Sequence, residues 1–106
     1  MENLPPNSRS NTLPDSLKNT AVFTTKNVIN NKMLITRVYH SSDGSWQFFD
    51  DLSTNSNENV MIVGFGQVVQ RDSSLMKLLG LPPSYLAHRK TINEDWNIEP
   101  FIETED

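Results

Sequence analysis

The chain has no cysteine, only four glycines, and no apolar run approaching the roughly 18 residues that a membrane-spanning helix needs. Without cysteine there is no disulfide, no thiolate nucleophile and no Cys-based zinc site. The first residues contain no apolar stretch of the kind a cleaved secretory leader carries, so a cytoplasmic location is the expectation. No basic run is present, which argues against nucleic acid as a partner. No cofactor motif is complete, and none is expected.

What is there is modest. Apolar residues make up 36% of 106 residues, enough for one small core. The net charge is −4, unevenly spread: residues 41–63 carry −4 and residues 91–106 carry −6, while 21–40 and 64–90 are each +3. The acidic stretches fit either solvated flexible segments or an acidic surface aimed at a basic partner.

Residues 1–20 contain three prolines and four large apolar residues, Met1, Leu4, Leu13 and Leu17. Too little surface can be buried to offset ordering entropy, which predicts a disordered or loosely docked arm. The folded domain is expected over 21–102, with 103–106 an acidic tail. Val22 and Phe23 suggest a short strand, followed by one helical turn carrying Val28 and Ile29 and capped by Thr24 or Thr25. Residues 33–40 form the strongest strand pattern, with apolar groups on both faces, as expected for a central strand covered at least in part on both sides. Asp43-Gly44 then signals a hairpin turn into a strand containing Trp46, Phe48 and Phe49.

The polar stretch 52–59 predicts a mobile loop, and Val60–Val63 a short buried strand. Phe65, Val68 and Val69 recur at helical spacing. Asp72 is a suitable N-cap for a second helix over 73–79 with Leu75, Leu78 and Leu79 buried, and Gly80 suits a left-handed C-terminal position. Residues 84–91 predict a last strand, after which Trp96, Ile98 and Phe101 pack back as irregular chain. The expected class is α+β: a small, mainly antiparallel sheet with two short helices inserted between strands.

Chemistry-bearing groups are few. His40 and His88 are the only histidines, and neither H-x-x-x-H nor HExxH spacing occurs, so no metal site is expected. Asp50, Asp51 and Glu58 could pair for acid–base work, but they border a polar loop, a poor place to raise a carboxylate pKa by burial. Ser73, Ser74 and Ser84 lack a nucleophile-elbow setting. Gly64-Phe65-Gly66 lacks the third glycine and the Lys-Ser/Thr pair of phosphate loops, and suits a helix entry with close backbone packing. Arg89 is expected to pair with an acid such as Asp43 or Asp72 and hold a turn. Trp46 and Phe48 are expected in the core beside Tyr39 and Val63. Phe49 points the other way and has two open placements. It is either an exposed anchor ringed by Asp50 and Asp51, or covered by residues 96–102.

Taken in order, K-x-V-I at Lys26–Ile29, G-x-W-x-F-F at Gly44–Phe49, D-x-x-L at Asp72–Leu75, L-x-L-P at Leu79–Pro82, A-x-R at Ala87–Arg89 and the late Trp96 resemble a bacterial immunity-protein family. It is number thirty-three of that series, formerly a domain of unknown function. The resemblance covers about residues 20–98 and carries over Gly44, Trp46, Phe48, Phe49, Asp72, Leu75, Leu81, Pro82, Ala87, Arg89 and Trp96, mostly fold-defining types. Pro83 departs from it, standing where a small residue is expected. The resemblance implies a non-enzymatic protein that neutralises a cognate polymorphic toxin by stoichiometric binding. The resemblance supplies no binding residues; the aromatic anchor and acidic rim place the expected interface at Phe49, Asp50, Asp51 and Glu58. A general cytoplasmic interaction or regulatory module is the alternative. A small hydrolase is a third reading, which lacks a paired nucleophile and base.

Overall fold

The structure, a computed structural model, describes residues 13–51 and 59–102. Among the described residues ten elements follow in order: α1 (Asp15–Lys18), β1 (Ala21–Thr25), α2 (Lys26–Asn31), β2 (Arg37–His40), β3 (Trp46–Phe49), β4 (Val60–Gly64), α3 (Phe65–Arg71), a 3-10 helix (Ser73–Leu78), β5 (Tyr85–His88) and β6 (Asn97–Pro100). The strands form one sheet in the order β4-β1-β3-β2-β5-β6. β1 runs parallel to β3, and every other neighbouring pair is antiparallel. The expected α+β class with a mainly antiparallel sheet is what the chain forms.

The core lies on one side of the sheet. Val22, Val38, Trp46, Phe48, Val63 and Ala87 project from the strands onto Val28, Phe65, Val68, Leu75 and Leu78 of the helices. Phe65 meets Trp46 and Phe48 edge-on, with centroids 5.2 and 5.4 Å apart. Each of these aromatics contributes about 1.5–3 kcal/mol by burial, and edge-on contacts add to that.

Local chemistry explains most of the elements. Thr25 caps α2 by accepting the Val28 N–H at 3.1 Å, and Lys32 ends that helix with a φ of 57°. Gly44, at φ 92°, turns the β2–β3 hairpin, where a side chain would strain the backbone. The Asp72 carboxylate accepts the Ser74 N–H at 3.0 Å, as its predicted capping role requires. Residues 73–78 wind as a 3-10 rather than an α-helix. Three residues per turn place Leu75 and Leu78 one above the other, both buried, and leave Leu79 half-buried.

Four expectations are corrected. Residues 13–20 are built into the fold, with Leu13 buried in the core and α1 against α3; the rest of the expected arm, residues 1–12, lies outside the described residues, as do 52–58 and the 103–106 tail. The strand expected over 33–40 begins only at Arg37, because Ile35 and Val38, of opposite parity, both enter the core. Gly80 has no positive φ, and the chain leaves the 3-10 helix without a left-handed residue there. Residues 97–100, expected to be irregular, pair with β5 as an edge strand, and Ile98 is exposed rather than packed.

The Gly64-Phe65-Gly66 stretch opens α3, as anticipated. A Cβ on Gly64 would stand 3.0 Å from the Lys18 carbonyl oxygen, and one on Gly66 would stand 2.9 Å from the Lys18 Cγ. The glycines let α1 and α3 pack backbone to backbone.

Candidate interaction face

The side of the sheet away from the helices carries the candidate site. Strand register places Ile62, Phe23, Gln47, Tyr39, Leu86 and Glu99 abreast, one from each strand. Two residues further along, Phe49, Arg37 and His88 lie side by side on the same face. None of these residues belongs to the buried core, and the buried helix side chains all pack on the opposite side. Ile62 is 64% exposed, and Phe23, Tyr39, Phe49 and Leu86 are half-buried. Half-buried aromatic groups on a sheet face that no described helix covers suit the centre of a protein-binding surface.

Phe49 sits at the middle of this face, in an arrangement between its two open placements. Its ring meets Tyr39 edge-on at 6.0 Å, and the Arg37 guanidinium lies 5.8 Å from its centroid. Phe101 covers Tyr39 edge-on at 5.3 Å. Cover from the C-terminal segment therefore reaches Tyr39, and Phe49 stays half-buried. Tyr39 does not join Trp46 and Phe48 in the core as expected. The turn that pairs Ser41 with Ser45 sets Tyr39 opposite Gln47, on the open side.

Of the two acids in the ringed placement of Phe49, only Asp51 reaches the surface. Asp50 is buried at 0% exposure, and its Oδ2 accepts the Thr25 hydroxyl at 2.7 Å. Its backbone carbonyl accepts an Arg37 Nη2 hydrogen at 3.0 Å. A carboxylate held inside cannot act as a docking contact, so Asp50 is a structural residue. Asp51 is exposed, and its Oδ1 accepts the Thr36 hydroxyl at 2.8 Å. Glu58 lies outside the described residues. Sequence reasoning missed Phe23, Tyr39, Leu86 and Ile62 as members of this face.

The remaining signature residues hold the frame. Gly44 turns the hairpin, and Trp46 and Phe48 are buried as expected. Pro82 is exposed beside the buried Leu81, just before Ser84, whose φ is 69°. Arg89 pairs with Asp72, one of its two expected partners. Its Nε donates to the Ile35 carbonyl at 3.1 Å and its Nη1 to Ser74 Oγ at 3.1 Å. Trp96 lies over the guanidinium at 4.1 Å and donates its indole N–H to the same Ser74 oxygen at 3.1 Å. This cluster ties β5, the 3-10 helix and the approach to β6 together.

The two histidines are kept apart. His40 lies on the core side, stacked on Trp46 at 3.9 Å with its Nδ1 2.7 Å from the Leu81 carbonyl. His88 lies on the open side, with Nε2 2.6 Å from Glu99 Oε2. Among the described residues no three His, Cys, Asp or Glu side chains are grouped to hold a metal ion. No described helix is long and apolar enough to cross a membrane.

Two carboxylates titrate below their ordinary values, the exposed Asp43 and the half-buried Glu94. Asp43 is lowered chiefly by the Ser45 backbone N–H and then by the Ser45 hydroxyl. Glu94 is lowered by the Lys90 backbone N–H and then by the Asn97 side chain. Both are turn contacts outside the open face.

In comparisons with known proteins, the chain matches no family model, no curated protein and no solved structure.

Proposed function

We propose that this protein is an immunity-type inhibitor that neutralises a cognate bacterial toxin by covering it, without catalysing a reaction. The single observation carrying the reading is the open sheet face, where Phe23, Tyr39, Phe49 and Leu86 stand half-buried with none of the described helices over them. The motif resemblance over residues 20–98 supplies the class of partner. Phe49 and Tyr39 serve as the anchor, flanked by Arg37, Asp51 and Glu99. With a net charge of −4, association with a basic toxin cleft is steered by charge, and its rate falls as salt rises.

The test is growth protection of a bacterial host that expresses a candidate toxin encoded next to this gene, joined to capture of that toxin domain. Wild-type protein is expected to protect and to co-purify with the toxin at fixed stoichiometry. Phe49→Arg, with its thermal unfolding checked against wild type, is expected to lose both. A folded Phe49→Arg protein that protects as well as wild type removes the sheet face from the reading. Failure of the wild-type protein to protect against any neighbouring toxin, with retained capture of another protein through Phe49, favours a general interaction module.

A further inference from the structure

A second candidate site lies away from the open sheet face. A cleft of about 760 Å³ opens between the α2–β2 connection, the end of α3 and the turn after β5. Met33, Leu34, Ile35 and Ile92 give it apolar walls, and Ile92 is 65% exposed. Lys32, Arg71 and Lys90 surround these walls. All three cations are exposed, and among the described residues none is within ion-pair distance of a carboxylate. Asp72 also borders the cleft, but its carboxylate is engaged by Arg89 and Ser74. The Glu94 carboxylate accepts the Lys90 backbone N–H at 2.9 Å, and Arg71 donates to the Ile29 carbonyl at 2.9 Å. Three cations against Glu94 thus leave a smaller local excess of positive charge around the apolar floor, in a chain of net charge −4.

We propose that the cleft binds an acidic polypeptide segment carrying an apolar side chain. The carboxylates would face Lys32, Arg71 and Lys90, and the apolar side chain would enter between Leu34 and Ile92. Charge complementarity selects an anionic ligand. The spread of the cations over three chain segments selects a polypeptide over a small anion. Each exposed cation is screened by water and salt and holds one carboxylate weakly, so useful affinity requires several carboxylates at once.

The experiment uses the full chain and a fluorescein-labelled peptide with a central leucine between runs of aspartate and glutamate, followed by anisotropy at low and at physiological salt. The peptide is expected to bind and to weaken as salt rises. Its all-amide counterpart, with asparagine and glutamine, should bind about tenfold more weakly. Lys32→Glu/Lys90→Glu is expected to reduce affinity by about tenfold, and Ile92→Ser to reduce it severalfold. Lys32→Gln/Lys90→Gln repeats the test without charge reversal should the first variant unfold. Phe49→Arg should leave peptide affinity unchanged, which separates this site from the sheet face. Equal binding of the amide peptide, or wild-type affinity in folded lysine variants, overturns the proposal. So does octanoate, tested as a small apolar carboxylate, if it binds the cleft as tightly as the peptide.

Discussion

The Thr25 hydroxyl donates to the buried Asp50 carboxylate at 2.7 Å while its oxygen accepts the Val28 N–H at 3.1 Å. One side chain thus starts α2 and anchors the end of β3. Thr25→Ala removes a helix cap and a partner of a buried acid, and should cost about 1–3 kcal/mol. Asp50→Ala should cost a similar amount. The double variant should lose less than the two single losses added together, because the shared bond breaks only once. Urea unfolding of the four proteins checks this, and strict additivity would contradict a direct coupling.

Arg89 uses its whole fork, with Nε on Ile35, Nη1 on Ser74 and Nη2 on Asp72. Arg89→Met should cost about 3–5 kcal/mol, since it strands the inward-facing Asp72 carboxylate. Arg89→Lys should recover little of that loss, because an ammonium cannot reproduce the planar fork. Denaturant midpoints measure both. The tryptophan emission should also shift in each variant as the cation leaves the Trp96 ring.

The two glycines at the start of α3 should respond differently to alanine. In Gly66→Ala the nearest atom is the Lys18 Cγ, part of a flexible side chain that can swing aside. Loss of an interior helix glycine offsets that contact by up to about 1 kcal/mol, leaving little net change in melting temperature. In Gly64→Ala the obstacle is the Lys18 backbone oxygen. That variant should lose about 1–3 kcal/mol through overpacking. Thermal unfolding of the pair would refute the close α1–α3 contact if the order were reversed.

Asp43 should titrate below its ordinary value of 3.8 in the folded protein. Because the folded value is depressed, its contribution to stability is present above the unfolded pKa. It is lost as pH falls through the folded one. NMR titration of the Asp43 carboxyl carbon measures the midpoint. Ser45→Ala should raise the midpoint only in part, since the backbone N–H of residue 45 is the larger cause and survives the substitution.

Much of the frame was legible because its signals are local. The Asp72 cap, the Asp43-Gly44 turn and the alternation of Trp46 and Phe48 each depend on residues a few positions apart, and each formed as expected. The face of Tyr39 was misassigned although the hairpin turn contained the answer: with His40 opposite Trp46, odd residues of β2 share a side with odd residues of β3. Asp50 could not be placed from its neighbours. An acid beside a polar loop looks solvated, and the hydroxyl that accommodates it comes from 25 positions earlier. β6 was hidden for another reason. Its four residues are all exposed and join the sheet through backbone pairing, so no apolar alternation marks them.

The strand order has a consequence for how the protein assembles. The β2–β3 and β5–β6 pairs join strands adjacent in sequence, so their loops are short and close first. Pairing of β1 with β4 matches Val22 to Val63 and must await a far longer closure. The Tyr39–Phe49 contact is therefore available early, whereas Ile62 reaches the same face only when β4 docks on β1, and Leu86 only when β5 closes the still longer loop to β2. Until β1 and β5 pair with it, the β2–β3 hairpin that carries Tyr39 and Phe49 has both of its backbone edges open to misassociation.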